Sequence, residues 1–211
     1  MLEKDMMLPP PVRALRSASY GVLALGTALA LSACSGPDPD ELRAGPVPET
    51  SPELDKSELP PKPKEDAPIT ERVEWSLIET TSVYARWYGD GIEADCPGIK
   101  GTGGFGSQDV TCTVAVDGVS AEWDVSVGSI MSEFEPLDGR HVVRDAVEDV
   151  ARFETGSEHV RCEMDKVQLA SPDDEEPITC VWATEDDHGR LALMLDDMQF
   201  SDKSFWLTSA E

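Results

Sequence analysis

From Ile69 onward, apolar positions recur with two distinct periods. Val73, Leu77, Tyr84 and Tyr88 fall on one face at 3.6 residues per turn, which predicts a helix with Thr70 as its N-cap, broken by Gly89-Asp90-Gly91. The period then shortens to two. Ile92, Ala94 and Cys96 alternate with polar residues, and Val110, Cys112, Val114 and Val116 do the same, as half-buried strands do. Asp117-Gly118 is a two-residue hairpin signal, and the return strand sets Trp123, Val125 and Val127 on one side.

The same order then comes round again. A second helix carries Val143, Ala146, Val147, Val150 and Phe153, and Gly156 breaks it. Val160 and Cys162 follow, then Ile178, Cys180 and Trp182 in alternation, a turn at His188-Gly189, and Leu191, Leu193 and Leu195 in alternation. Cys162 lies 66 positions after Cys96 and Cys180 lies 68 after Cys112, so the two units keep register within two residues. Val110-Thr-Cys-Thr-Val-Ala and Ile178-Thr-Cys-Val-Trp-Ala are the closest matching segments. The expected fold is α+β with two tandem repeats, 69–137 and 138–211. Each repeat is one helix followed by an antiparallel sheet of three or four strands with one disulfide. The alternative is a single α+β domain with chance internal similarity.

Upstream of Ile69 the pattern is of another kind. Arg13 and Arg16 precede a 14-residue weakly polar run, Tyr20 to Ala33, that ends at Cys34. Basic residues, a short apolar stretch and small residues form the export pattern, and the run is too short for the roughly 20 residues of a permanent span. Leu31-Ser32-Ala33-Cys34 resembles the lipobox of bacterial lipoproteins. That resemblance implies cleavage after residue 33, diacylglyceryl modification of the Cys34 thiol, and attachment to the extracytoplasmic face of the cell membrane. Glu3 and Asp5 sit awkwardly in a basic leader, so the start is open among Met1, Met6 and Met7. Residues 34–68 hold nine prolines, many charges and almost nothing apolar, and are expected to be a disordered tether that could reach roughly 100 Å from the bilayer.

Charge narrows the partners. Of 211 residues, 42 are acidic and 17 basic, a formal charge of −25. Removing residues 1–33 takes away two acids and three bases, leaving −26. Such a chain lacks the basic face that nucleic acid requires. The five cysteines are an odd number; assigning Cys34 to lipid leaves Cys96, Cys112, Cys162 and Cys180, which can pair completely in an oxidising compartment. Counting alone leaves three connectivities, and the repeated strand pattern favours Cys96 with Cys112 and Cys162 with Cys180. No Cys-x-x-Cys or Cys/His knuckle suggests zinc.

Ala94-Asp-Cys-Pro97, the glycine-bearing turn, Val110-Thr-Cys-Thr-Val114 and the following Asp-Gly hairpin are similar to small cysteine-paired domains of secreted bacterial lipoproteins. The second copy departs from that pattern, with Glu163 where the first has Pro97. This resemblance implies an α+β fold and an envelope location, and no reaction.

The remaining motifs have plainer readings. Gly101-Thr-Gly-Gly-Phe-Gly106 matches a dinucleotide fingerprint by letters, but no strand-to-helix junction surrounds it. His141, His159 and His188 are dispersed and assemble no catalytic group. The acidic runs Asp173–Glu176, Glu185–Asp187 and Asp196-Asp197 fit no calcium loop. Among the tryptophans, Trp75 and Trp206 fit the apolar faces least well and are the candidates for a contact surface. The reading is a lipid-anchored envelope protein, without cofactor, whose outer part is a non-enzymatic binding or structural module. It meets the membrane through Cys34 and an envelope protein or ligand through its surface. The rivals are an envelope hydrolase using carboxylates and an inhibitor of a secreted enzyme.

Overall fold

The computed structural model describes residues 36–101, 107–128, 132–195 and 204–210. Strand β1 (Arg43–Ala44) comes first, followed by helix α1 (Ile69–Ala85). Val73, Leu77 and Ala85 are buried on one face of α1. The helix starts one residue before Thr70, with Pro68 at the cap position and no side-chain cap, because proline's fixed φ is already suited to entering a helix. It also stops short of Tyr88. Arg86 adopts the left-handed conformation, at φ 49°, and its N–H donates to the Ser82 and Val83 carbonyls, which closes the last turn.

Four strands follow: β2 (Ile92–Asp95), β3 (Gln108–Val116), β4 (Val119–Val127) and β5 (Ser132–Pro136). They form an antiparallel sheet in that order. Asp117 and Gly118 both have positive φ, at 48° and 83°, as a type I′ hairpin turn demands. That turn fixes the register of β3 and β4, so Cys112, Val114 and Val116 share the buried face with Ala121, Trp123, Val125 and Val127.

The chain continues as β6 (Arg140–Val143), α2 (Arg144–Thr155), β7 (His159–Cys162), β8 (Val167–Ala170), β9 (Thr179–Ala183), β10 (His188–Leu195) and β11 (Phe205–Ser209). A five-stranded antiparallel sheet runs β1-β7-β9-β10-β11, and β6 pairs with β8 alone. The turn expected at His188-Gly189 lies earlier, at residues 184–187, where the Thr184 hydroxyl accepts the Asp187 N–H at 2.9 Å. The α+β class and the two disulfides, Cys96 with Cys112 and Cys162 with Cys180, are as expected. Both helices lead into antiparallel strands, but β6 precedes α2, and β6 and β8 have no counterpart among the described residues of the first half. Val143, Ala146 and Val167 pack into the core built around α1 and the first sheet, so a boundary at 137/138 runs beside a shared core.

Residues 36–68 differ from the free spacer expected of them. Leu42 is buried, β1 pairs with the edge strand β7, and two short 3₁₀ turns cover Pro39–Glu41 and Lys56–Glu58. The segment has too few apolar residues to fold alone. It is ordered by borrowing the edge of a sheet already formed, where its backbone groups find partners.

Candidate functional site

The strap formed by residues 36–68 meets α2 at a cluster of charges. Glu148 lies on the buried side of α2 between Val147 and Ala151, and only 1% of its side chain is exposed. Its carboxylate accepts the Cys162 backbone N–H at 3.3 Å and an Arg152 N–H at 3.5 Å, and it is ion-paired with Arg43 Nη1 at 3.0 Å. Arg152, almost as buried, also binds Asp149 at 2.8 Å and donates to the Arg43 carbonyl at 3.2 Å. Arg43 reaches Asp145 as well, at 3.1 Å. A carboxylate this far from water is tolerable only when paired and hydrogen-bonded. One of its two cations therefore comes from the strap.

The other half has a simpler version of this arrangement. Glu74 on α1 accepts the Cys96 N–H at 3.1 Å, as Glu148 on α2 accepts that of Cys162. In each case a helix carboxylate holds the backbone of the first cysteine of a disulfide. The sequence does contain a hint of the second site, since Glu148 and Arg152 are an i,i+4 pair on an otherwise apolar face. The role of Arg43 has no local signal.

The two candidate tryptophans have different surroundings. Trp75 is half-buried beneath the strap: its indole N–H donates to the Pro60 carbonyl at 2.9 Å, and Lys62 Nζ lies 5.5 Å from the ring centroid. The chain's own Pro60-Pro-Lys62 segment thus occupies that face. Trp206 is 41% exposed on the edge strand β11, opposite Met194, which is 39% exposed. Cys34 lies outside the described residues, as do residues 102–106 of the glycine-rich turn and Asp196-Asp197.

Arg86 ties three parts of the domain together. Its guanidinium donates to the Phe205 carbonyl at 2.7 Å and to the Pro52 carbonyl of the strap at 3.1 Å, and sits 4.4 Å from the Phe205 ring. Burial pushes its pKa down, opposed by the charges of Glu53 and Glu154. Near the junction of the two halves, a cleft of about 310 Å³ is lined by Tyr84, Phe134, Glu135, Arg140 and Asp173. Arg140 packs 4.4 Å from the Tyr84 ring, and Tyr84 stacks on Trp123. Among the described residues, no three His, Cys, Asp or Glu side chains are grouped to hold a metal ion.

His141, the residue after Arg140 in β6, is buried, with Nε2 2.9 Å from the Val119 carbonyl. Burial holds its pKa below the ordinary 6.5, partly offset by that hydrogen bond. The folded state therefore binds the proton less readily than the unfolded chain. The stability this provides is complete above pH 6.5 and is lost as the pH falls from there towards the depressed folded value. The melting temperature is expected to fall between pH 7 and pH 5, and less steeply in His141→Gln, whose amide can still donate to Val119. Equal slopes for the two proteins would show that His141 does not contribute.

Comparison with protein-family models, curated proteins and solved structures finds no match to the chain. Among the described residues no helix is long and apolar enough to cross a membrane.

Proposed function

We propose that this chain is a lipid-anchored protein of the cell envelope whose outer domain is a non-enzymatic binding or structural module. The supporting observation is the fate of the cysteines. Two disulfides consume Cys96, Cys112, Cys162 and Cys180, so by count the fifth cysteine is Cys34, directly after the small residues of an export leader. Disulfides belong to an oxidising compartment, which agrees with export. Acyl chains bury about 0.8 kcal/mol per methylene, and two of them suffice for stable attachment where one does not.

The outer domain is, in this reading, a duplicated unit. The order β7-β9-β10-β11 follows the plan of β2-β3-β4-β5, each set comes after a helix, and each disulfide joins the first strand's end to the second strand. The matching pairs of Glu74 with Cys96 and Glu148 with Cys162 support the same descent. For partner contact, β11 is the favoured surface. The edge strands β2 and β5 each carry two acids, which discourage strand addition, whereas β11 carries no charge and exposes Trp206.

Substituting Cys34 by alanine tests the anchor. The variant is expected to leave the membrane fraction and appear as a soluble exported or leader-bearing species. Undiminished membrane association, with no lipid found on the N-terminal peptide by mass spectrometry, would sink the proposal.

A further inference from the structure

We propose that residues 36–45 clamp the folded domain directly against the membrane, so that the end of the domain nearest Cys34 rests on the lipid headgroup layer. This rests on the lipid-anchor reading of Cys34. The clamp is built from described residues. Gly36 lies so close to the His188 ring that a Cβ there would collide with it. Leu42 is buried, β1 pairs with β7, and the Gly45 N–H donates to the Glu158 carbonyl at 2.9 Å. Arg161 donates to the Glu41 carbonyl at 3.3 Å, and Arg43 completes the buried cluster on Glu148.

Chain geometry converts this into a distance. Two residue steps separate Cys34 from Gly36, and two extended residues span about 7 Å. A free segment from residue 35 to 68 would instead span roughly 100 Å extended and about 30 Å on average as a coil. The end of the five-stranded sheet that carries His188 and the turn Glu185–Asp187 therefore meets the headgroups. Repulsion of those three acids from anionic lipid acts within a Debye length of about 8 Å and opposes the contact, but the covalent span of about 7 Å to the anchor limits how far the domain can withdraw. A folded unit of this length is about 40 Å across. Its partners then lie within about 50 Å of the lipid surface.

Neutron reflectometry on the acylated protein, reconstituted in a supported bilayer of phosphatidylethanolamine and phosphatidylglycerol, measures the water gap between headgroups and protein. A gap under about 10 Å is expected, widening to about 30 Å in a Leu42→Asp/Arg43→Glu variant that retains both disulfides. A gap of about 30 Å in the unaltered protein, with Cys34 acylated, overturns the clamp and leaves the anchor standing. A protein that does not join the bilayer and whose Cys34 is unmodified overturns the anchor, and the clamp with it. Should the double variant fail to fold, hydrogen exchange in the unaltered protein decides. The Gly45 amide is expected to be protected at least tenfold relative to a free peptide, and exchange at the free rate overturns the clamp.

Discussion

Replacing Cys96, Cys112, Cys162 and Cys180 with alanine is expected to remove about 6 kcal/mol of stability, enough to leave much of the domain unfolded at 37 °C. The bridges close loops of sequence separation 16 and 18, and a loop of that size constrains the unfolded chain by about 3 kcal/mol. All four cysteines are buried, and Cys162 and Cys180 face each other directly across β7 and β9. Removing them therefore also loosens the strand pair to which the strap attaches. Urea denaturation of the oxidised, reduced and alanine forms measures the loss. A midpoint unchanged by reduction would mean that the bridges do not stabilise the exported domain.

The second large effect centres on Glu148. Glu148→Ala removes the acceptor for a buried N–H and leaves Arg152 buried with one carboxylate fewer; breaking such a pair costs about 3–5 kcal/mol. Glu148→Gln keeps the acceptor for Cys162 but loses the charge, and is expected to fall between the alanine variant and the unaltered protein. Arg43→Ala removes a half-exposed partner and should cost about 1 kcal/mol or less. Denaturation of the three variants orders them, and an Arg43→Ala loss equal to that of Glu148→Ala would refute the account. Proteolysis near Gly45 should accelerate in all three.

The features legible in the sequence were those carried by local pattern. The Asp117-Gly118 hairpin, the alternating strands around Cys112 and Cys180, and the glycine stop after α2 each depend on neighbouring residues only. Local pattern does not suffice where distant residues decide. Val143 looks helical because it falls in phase with Val147 and Val150, yet it is the last residue of β6, paired with Val167. The strap looks disordered by composition, and by itself it lacks the means to fold. Its order comes from Leu42, Arg43 and backbone groups meeting a sheet and helix encoded more than a hundred residues later. Trp75 stands out as a poorly fitting aromatic, and the reason is that its cover is Pro60 rather than the core.

The pairing of β1 with β7 also bears on the order in which the protein assembles. Arg161 meets Glu41 across 120 positions, among the longest loops the fold has to close, while the β3–β4 hairpin needs only its own turn. Contacts of such separation are slow to form because their entropy is lost before their energy is gained. Strand β1 precedes the edge it joins by more than a hundred residues, so it has nothing to join until β7 is in place. Its closure is therefore expected to come after the β7–β9 pair has formed, and its reopening need not disturb that pair.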